Sequence, residues 1–539
     1  MTLEISNKKF LQMTNFGYLI KMSEFSDEIL NDIKSDLKVK PDINIVYNKK
    51  KIDSFIVYQI GQSKMLLPKY YGIDKLGFPN DINTSISEYD NKQINFKFNG
   101  ELRDYQVKII DKCKNHYFDS NGNLLPFGGG TICIPPGKGK TSLGLYLGCL
   151  IKLPILIIVH KNRLISQWIK RIKDFIPNEP IGIIQQNVID IEGKNIVIGM
   201  LQSICLKNYD EDIFEKFSFV IFDEVHHLGA NKFSRALLKI QAPYTLGLSA
   251  TPQRTDKLEK VFYWHLGPLI WEEYAEIDST VKINLYKYDT SVSNKLLKPI
   301  FNFKTKQLNM AKMMTNLTEL EMRNKFIVNL IVTDIFPVIP IKSYNINIHK
   351  ISKKLLLSKN NLFLHIHTID SNLPPSSFRK LLILSNRIEH LKKIEIMLIS
   401  INPIWKQLIG YIIGGMKEHK LDESELKPII LATYEMASEG LDIVDLDTLI
   451  LATPKSNITQ PIGRILRLQK HRRKFTPTVY DIVDNVNIYL SQGKKRYSDY
   501  ITKEYTTSWF NVCDTTITNI IDPFLKINYI DSNIDQFID

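Results

Sequence analysis

The sequence has few cysteines, and no group of residues with the spacing of a metal site. Its five cysteines form no Cys-x-x-Cys pair and stand at Cys113, Cys133, Cys149, Cys205 and Cys513. Zinc sites and disulfide frameworks both need clustered cysteines, so we expect neither, and we expect a reducing compartment. His365 and His367 share one face of a predicted strand, but no third ligand of suitable spacing is near.

A targeting signal and a long apolar run are also lacking. The first 25 residues do not have the basic-then-apolar layout of a signal peptide. The most apolar stretch, Leu143 to Val159, is interrupted by Lys152 and Pro154. We therefore expect a soluble intracellular or intravirion protein that does not engage a membrane.

Acidic residues are outnumbered by basic ones. The chain has 57 Asp and Glu against 70 Lys and Arg, which gives a formal net charge of +13. This balance favours a polyanionic partner such as nucleic acid. From charge alone, a merely soluble basic protein remains an equal alternative.

Apolar strands alternate with helical stretches in two separate regions of the chain. This alternation predicts an α/β protein with two similar parallel-sheet lobes. The predicted domains are an N-terminal accessory domain at 1–99, lobe 1 at 100–275, lobe 2 at 276–485 and a mostly helical C-terminal extension at 486–539. Lobe 2 carries a basic insertion near 337–378, which is either a solvated loop or an element that faces nucleic acid.

A glycine-lysine loop, Pro135-Pro136-Gly137-Lys138-Gly139-Lys140-Thr141, lies between a predicted strand at 130–134 and a predicted helix at 142–151. Backbone N–H groups of such a loop and of the helix N-terminus face one spot and bind phosphate. We expect Lys140 on the β- and γ-phosphates and the Thr141 hydroxyl on Mg²⁺. The loop departs from the usual phosphate-loop pattern because Ile134 replaces its first glycine.

Two adjacent acids, Asp223 and Glu224, end the apolar run Phe217 to Phe222. Such a run reads as a buried parallel strand that delivers its acids to the carboxyl edge of a sheet, where ligands of open α/β sheets bind. Hydrolysis of a triphosphate needs a held magnesium and an oriented water. Asp223 is the candidate for the magnesium and Glu224 for the water, so the chain is predicted to hydrolyse a nucleoside triphosphate.

Further motifs follow in a fixed order around these two. They are Leu102-Arg103-Asp104-Tyr105-Gln106, Ser249-Ala250-Thr251-Pro252, Ala437-Ser438-Glu439-Gly440-Leu441-Asp442 and Gln460-Pro461-Ile462-Gly463-Arg464-Ile465-Leu466-Arg467. Together with the loop and Asp223-Glu224-Val225-His226 they resemble superfamily-2 helicases of the XPB-like branch. The run 67–77 resembles the helicases of large cytoplasmic DNA viruses, which include the poxvirus transcript-release helicase.

The resemblance implies two tandem RecA-like lobes that bind ATP and Mg²⁺ between them. It assigns the nucleotide to residues of both lobes, namely Arg103, Gln106, Pro136, Gly137, Lys138, Gly139, Lys140, Thr141, Ser142, Gly440 and Asp442. It makes Gln106 the adenine-reading residue. It adds Gln460, Arg464 and Arg467 to Asp223, Glu224 and Lys140 as catalytic residues, with the arginines reaching the γ-phosphate.

The resemblance also implies residues that couple hydrolysis to movement, and these are His226, Ser249, Ala250 and Thr251. The expected nucleic-acid contacts are His160, Lys161, Arg163, Gln202, Ser203, Asn386, Arg387 and Thr433. We expect Trp168 to pack in the core instead of stacking on a base. The Arg-Glu-Asp wedge of the branch is lacking after Pro252, so translocation is better supported than unwinding.

The function that these motifs indicate is an ATP-dependent helicase or translocase of viral transcription, in transcript release, or of repair. DNA is the expected track, with RNA or a DNA–RNA hybrid as alternatives, and viral RNA polymerase or transcription factors are the expected protein partners. A monomeric motor in the host cytoplasm, in viral factories and in virions is expected. Two other functions stay open, an ATP-switched nucleic-acid clamp and a restriction-type translocase motor that does not separate strands.

Overall fold

A computed structural model describes residues 9–41, 54–84, 94–210, 212–225, 236–237, 239–240, 242–250, 257–273, 278–289, 298–302, 306, 308–335, 379–438, 441, 443–513 and 516–520. It divides the chain into two compact units, Met1–Ala275 and Glu276–Asp539. No helix among these residues is long and apolar enough to cross a bilayer.

A small sheet with two helices opens the first unit. Its elements are β1 (Leu11–Thr14), β2 (Gly17–Lys21), α1 (Asp27–Asp36), β3 (Lys38–Val39), β4 (Phe55–Ile56), β5 (Gln59–Ile60), β6 (Lys64–Leu67), α2 (Lys69–Leu76) and β7 (Asp81–Asn83). Five of the strands form a sheet in the order β5-β6-β2-β1-β7, and β3 pairs with β4. Only the pairing of β1 with β7 is parallel in the larger sheet.

A large, mostly parallel sheet forms the rest of the first unit. Its elements are α3 (Asp104–Lys114), β8 (Gly128–Cys133), α4 (Lys140–Ile151), β9 (Ile155–Val159), α5 (Asn162–Phe175), β10 (Ile181–Gln185), β11 (Val188–Asp190), β12 (Ile196–Met200), α6 (Leu201–Leu206), α7 (Asp212–Glu215), β13 (Phe219–Asp223), β14 (Tyr244–Ser249), α8 (Glu259–Leu266) and β15 (Leu269–Glu272). The eight strands lie in the order β11-β10-β12-β9-β13-β14-β8-β15, and only β11 is antiparallel to its neighbour.

The central strands of this sheet are apolar along their whole length because both of their faces are covered. In β9, Ile155, Ile157 and Val159 enter one hydrophobic core. Leu156 and Ile158 of the same strand enter a second core on the other face. Strands that are covered on both faces read as continuous apolar runs, which is the pattern of parallel sheets in α/β proteins.

The second unit is built on another mostly parallel sheet. Its elements are β16 (Lys282–Asp289), α9 (Met310–Thr318), α10 (Glu321–Leu330), β17 (Leu381–Ser385), α11 (Ile388–Ile401), α12 (Trp405–Leu408), β18 (Ile409–Ile412), α13 (Glu418–Glu425), β19 (Ile429–Thr433), α14 (Tyr434–Ser438), β20 (Thr448–Leu451), α15 (Thr459–Ile465), β21 (Thr478–Asp484), α16 (Asn487–Thr502), β22 (Thr506–Cys513) and β23 (Thr516–Ile520). The eight strands lie in the order β18-β19-β17-β20-β21-β16-β22-β23, and only β23 is antiparallel.

The predicted fold class is confirmed: two mostly parallel α/β sheets follow one another, and a helix, α16, follows the second predicted lobe. The structure adds β22 and β23, which the sequence did not lead us to expect. Strand β22 pairs with β16 along its length, and its Trp509 and Val512 are buried in the two hydrophobic cores on either side of the sheet. The predicted insertion at 337–378 lies outside the described residues.

Two arginine–aspartate pairs are buried in the second unit, and both aspartates belong to β21. Arg496 donates to both carboxylate oxygens of Asp481 at 2.8 and 2.7 Å, and Arg323 donates to both oxygens of Asp484 at 2.6 and 2.9 Å. All four side chains are at most 3% exposed. Removing one member would leave an uncompensated buried charge, so each pair ties a helix firmly to the sheet.

A buried lysine lies where the N-terminal sheet packs against the large sheet of the first unit. Helix α2 contacts α8 there, and the rings of Tyr71 and Trp264 meet edge to face at 5.3 Å. The Lys69 Nζ donates to the carbonyl oxygen of Ala242, and burial lowers the pKa of Lys69 to about 7. Burial, and then the charge of the Lys69 amine, lower the pKa of the nearby His265 to about 3, so His265 stays neutral around pH 7.

The first unit is therefore predicted to become more stable as the pH rises from 7 towards 10. In this range the folded chain holds Lys69 neutral while the unfolded chain still binds its proton. The unfolding free energy of the wild type should rise by about 2 kcal/mol between pH 7 and 9. In Lys69→Met the rise over the same range should be smaller. Thermal unfolding midpoints measured across this range would show it. Lys75→Met, in the same helix but paired with Asp36 near the surface, is the control, and an unchanged pH dependence in Lys69→Met would contradict the assignment.

Candidate functional site

The order of the strands brings three of the predicted motifs to one edge of the first large sheet. Strand β14 lies between β8 and β13, and all three run in the same direction. Their carboxyl ends coincide, because Ser249 is in register with Cys133 and Asp223 is in register with Leu248. The glycine-lysine loop and the acids at the end of β13 therefore share one edge, as we expected from the sequence, and Ser249 lies at the same edge.

The loop after β8 has a backbone that requires glycine at two positions. Gly137 and Gly139 have φ angles of 83° and 85°, which residues with a side chain rarely adopt. At position 139 a Cβ atom would also overlap Nε2 of Gln106. Helix α4 begins directly afterwards at Lys140, so its first N–H groups and the loop surround one anion-binding position. Pro136, Thr141 and Ser142 lie half-buried along the same turn.

Gln106 is held against this loop. Its Oε1 accepts from the backbone N–H of Arg103 at 3.0 Å, and its Nε2 donates to the carbonyl oxygen of Lys138 at 3.1 Å. The Tyr105 hydroxyl donates to the same carbonyl at 2.9 Å and accepts from the Arg103 guanidinium at 3.1 Å. The Gln106 amide thus fixes the conformation of the loop, and adenine reading by Gln106 stays a prediction.

Two residues that the sequence did not single out complete this part of the site. The Lys138 Nζ lies over the Tyr105 ring, 5.0 Å from its centre. The same Nζ forms an ion pair with Oε1 of Glu273 at 3.1 Å. Glu273 follows β15, the strand next to β8. Only the strand order could have placed it here, because no motif surrounds it.

Lys140 and Glu224 form an ion pair, with 3.1 Å between Nζ and Oε1. Their side chains are 13% and 18% exposed, so the pair is shielded from bulk water but still open to a ligand. Glu224 has a φ of 53°, a left-handed conformation that is unusual for a residue with a side chain. Strained backbone of this kind concentrates at functional sites, and here it turns the Glu224 carboxylate towards the loop.

Asp223 accepts a hydrogen bond from the indole N–H of Trp168, with 2.9 Å between Nε1 and Oδ2. Burial, and then the neighbouring Glu224 carboxylate, raise the pKa of Asp223. Lys140, the Trp168 N–H and His160 oppose this rise because each favours the ionised carboxylate. Trp168 is 1% exposed and packs in the core as predicted, but its bond to Asp223 was not predicted.

The residues at this edge fit a magnesium ion that is held mainly by a nucleotide. The Thr141 hydroxyl and the Asp223 carboxylate supply hard oxygen donors, which Mg²⁺ prefers. Within the described ranges, no group of three or more His, Cys, Asp and Glu side chains could hold a metal without other ligands. Magnesium in phosphate-transfer sites keeps several waters and takes one or two protein oxygens besides phosphate, so this small set is sufficient.

Of the predicted coupling residues, Ser249 is fully buried between the loop and the acids, and Ala250 follows it half-buried. His226 and Thr251 lie outside the described residues. The position of Ser249 suits a residue that contacts both neighbouring motifs. The coupling role itself stays a prediction.

The predicted nucleic-acid contacts of the first unit follow β9 and β12. The carbonyl oxygen of His160 accepts from Gln202 Nε2 at 2.6 Å, and the Ser203 hydroxyl accepts from the Gln186 N–H at 3.0 Å. Lys161 and Arg163 lie half-buried at the start of α5. The first bond joins the ends of β9 and β12, and the second joins the ends of β12 and β10, so that these neighbouring strands form one surface at the carboxyl edge of the sheet.

In the second unit, Arg464 is 7% exposed and bonds to backbone. Its Nε donates to the carbonyl oxygen of Ala437 at 3.0 Å and its Nη1 to that of Leu441 at 2.7 Å. Gly440 and Asp442 lie outside the described residues. Arg464 therefore anchors Ala437 and Leu441 to α15, while Gln460 and Arg467 are half-buried on and just after α15.

The three predicted nucleic-acid contacts of the second unit follow β17 and β19, which are adjacent. Asn386 Nδ2 donates to the carbonyl oxygen of Pro454 at 3.1 Å, and the Arg387 guanidinium donates to that of Ala311 at 2.9 Å. Thr433 ends β19 in register with Ser385 of β17. The structure thus brings Asn386, Arg387 and Thr433 to the carboxyl edge of this sheet.

A cavity of about 220 Å³ in the second unit lies away from this edge. Lys380, Asp447 and Pro477 line it, and each directly precedes a strand, so the cavity is at the amino edge of the sheet. The basic run at 470–474 contributes to the same wall. This run is therefore separate from the candidate site.

Comparison with known proteins identifies relatives over most of the chain. Residues 99–254 match a family described as "Type III restriction enzyme, res subunit". The chain is 34% identical over 504 residues to the "Putative ATP-dependent RNA helicase" of Acanthamoeba polyphaga mimivirus, covering 93% of this chain and 86% of that protein. It is 26% identical over 476 residues to the "Putative helicase" of Invertebrate iridescent virus 6, covering 86% and 93%. It is 31% identical over 182 residues to the "DNA 3'-5' translocase XPB2" of Sulfurisphaera tokodaii, covering 33% and 36%.

The crowding at Gly139 predicts a selective loss of nucleotide binding. Gly139→Ala should weaken binding of a fluorescent ADP analogue by at least about tenfold, because the new Cβ displaces Gln106 or the loop. Gly122→Ala is the matched control, since Gly122 has a φ of 81° but no atom lies within 4 Å of its added Cβ. Both variants should lose about 1–2 kcal/mol of stability from the left-handed backbone. Equal ADP binding by the two variants would contradict the assigned loop.

Proposed function

The chain belongs to the superfamily-2 helicases related to those of large DNA viruses, and from this premise we propose that it is an ATP-driven motor that moves along DNA. The observation that carries the proposal is the shielded Lys140–Glu224 ion pair, which lies beside Asp223 at the phosphate loop. It joins a phosphate-binding lysine to a carboxylate that can polarise water. If Glu224 only capped the N-terminus of a helix, it would not need Lys140 as an ion-pair partner.

ATP binding exchanges the partners of Lys140 in this mechanism. The β- and γ-phosphates lie on the N–H groups of the loop and of α4, and Lys140 turns from Glu224 to the phosphates. Glu224 then loses its ion-pair partner and accepts a hydrogen bond from the attacking water. Thr141 and Asp223 would hold magnesium, which would supply positive charge to neutralise the charge that develops on the phosphates.

The second unit supplies the remaining groups in the proposal. Arg464 donates to the carbonyl oxygens of Ala437 and Leu441, so it positions the backbone at these two residues. Arg467 and Gln460 approach the γ-phosphate, and a guanidinium there stabilises the transferred phosphoryl group.

The track is contacted through phosphates by the loops at the carboxyl edges of both sheets. Side chains such as Lys161, Arg163 and Arg387 bind backbone phosphate without reading sequence, which suits a motor that must step along a strand. The net charge of +13 favours such a polyanion. DNA and 3′-to-5′ movement are proposed from the likeness of the motifs to the XPB-like branch.

A role in viral transcription, at transcript release, or in repair follows from the viral relatives and is part of the proposal. The setting would be an infected cell, with the host cytoplasm and the virion as the proposed locations. Viral RNA polymerase or a transcription factor would be the protein partner. The alternative with specific support is a restriction-type motor that moves without separating strands, since residues 99–254 match the family of restriction subunits.

Mutation of the ion pair tests the chemistry. We expect nucleic acid to stimulate ATP hydrolysis by the wild type, and Lys140→Ala and Glu224→Gln each to lower it by at least about 100-fold. Glu224→Gln should still bind ATP, whereas Lys140→Ala should bind it weakly. Lys114→Ala, which removes a surface lysine paired with Asp111, is the control. Robust ATP hydrolysis by Lys140→Ala would contradict the assignment of the site.

The same preparations distinguish the track and the mode of action. Hydrolysis should be stimulated more by DNA than by RNA, and a labelled strand should be displaced from a duplex with a 3′ single-stranded tail. Stimulated hydrolysis without displacement on DNA, RNA or a hybrid would favour the restriction-type motor or a clamp. Displacement confined to RNA duplexes would contradict DNA as the track.

A further inference from the structure

Trp168 lies in α5 and has its only polar group directed at Asp223. The indole N–H donates to Asp223 Oδ2 at 2.9 Å, and the side chain is 1% exposed. An indole can donate one hydrogen bond and cannot accept one, so the contact has a fixed direction. It leaves the second carboxylate oxygen of Asp223 for other ligands.

The indole is held rigidly. An ideal Cβ placed on Gly144 of α4 would lie 3.6 Å from Cη2 of Trp168, so the ring packs against the helix that follows the phosphate loop. Leu164, Ile165 and Ile172 of α5 are buried beside Trp168. Trp168 therefore joins α4, α5 and the end of β13 at a single point.

Burial alone does not explain the choice of partner. A buried indole N–H usually finds an acceptor, and any nearby carbonyl could serve. This fold also buries an indole N–H that has none: Nε1 of Trp271, in the same unit, has no hydrogen-bond partner among the described residues. At Trp168 the acceptor is instead the acid assigned to magnesium.

We infer that Trp168 is a positioning residue that fixes the Asp223 carboxylate for the magnesium ion of the ATP site. The inference rests on the proposed function and deepens it. Groups that orient a metal-holding side chain change metal affinity by about 10–100-fold when they are removed. Because Trp168 follows Arg163 on α5, it also connects a proposed nucleic-acid contact to the proposed metal site.

Magnesium binding in the presence of ADP tests this inference without relying on turnover. The full-length chain is held at saturating ADP while Mg²⁺ is titrated, and the thermal unfolding midpoint is recorded. Trp168→Phe keeps most of the ring volume but loses the donor, so half-maximal stabilisation should need about tenfold more Mg²⁺. Trp271→Phe, which removes an N–H without a hydrogen-bond partner in the described structure, should match the wild type.

A double mutant shows whether Trp168 acts through Asp223. In an Asp223→Asn background, Trp168→Phe should cause no further change in the Mg²⁺ requirement. If Trp168→Phe does not fold, Trp168→His keeps a ring N–H on the same helix face and should need less than a tenfold increase in Mg²⁺.

The outcomes separate the two levels of the proposal. A wild type that Mg²⁺ and ADP do not stabilise would refute the nucleotide site and with it the proposed function. A stabilised wild type whose Mg²⁺ requirement is unchanged in Trp168→Phe would overturn only the role of Trp168. An equal increase in Trp271→Phe would also overturn it, because loss of any indole would then have the same effect.

Discussion

The ion pair between Lys140 and Glu224 is the contact on which the proposed chemistry depends. The two residues are 84 positions apart and meet because β8 and β13 run in parallel with only β14 between them. Both side chains are mostly buried, so breaking the pair without a replacement would leave a charge poorly hydrated. In the proposed mechanism a triphosphate replaces Glu224 as the partner of Lys140, which a neutral ligand could not do. The proposed site would therefore favour a polyanion before any adenine contact is made.

Charge is used in two different ways in this protein. In the second unit, Arg323 and Arg496 are matched by Asp484 and Asp481 through bidentate bonds, and these pairs fasten helices to β21. At the edge of the first sheet the charges are incompletely buried, and burial raises the pKa of Asp223. The buried arginine–aspartate pairs make their hydrogen bonds within the protein and form a rigid support. The partly exposed charges at the edge of the first sheet can still form ion pairs or hydrogen bonds with a ligand.

The sequence predicted the parts whose pattern is local. Strands β9 and β13 were recognisable because burial on both faces requires an unbroken apolar run, and the phosphate loop was recognisable because its backbone requires glycine at two positions. Strand β22, which lies between β16 and the edge strand β23, lacks this pattern, since two half-buried residues separate Trp509 from Val512. A strand could be predicted from the sequence when nearly all of its residues were buried, whatever its length.

Contacts between distant residues could not be predicted in the same way. Trp168 and Asp223 are 55 positions apart, and nothing in either neighbourhood indicates that an indole meets an acid. Arg464 and Arg467 belong to one motif and look alike in sequence, yet Arg464 is buried with its guanidinium on backbone carbonyls while Arg467 is half-buried. The motif alone could not show that Arg464 supports the backbone, because this depends on how α15 packs. The approach of Arg467 to the γ-phosphate stays a prediction.

The exchange of partners at Lys140 is tested most directly by a structure of the full chain with Mg²⁺, ADP and beryllium fluoride. Lys140 Nζ should lie about 3 Å from a phosphate oxygen or a fluoride, and its bond to Glu224 should be lost. The Glu224 carboxylate should then lie beside the position of the attacking water. A complex in which Lys140 stays bonded to Glu224 while the nucleotide binds elsewhere would contradict the assignment of this edge as the site of hydrolysis.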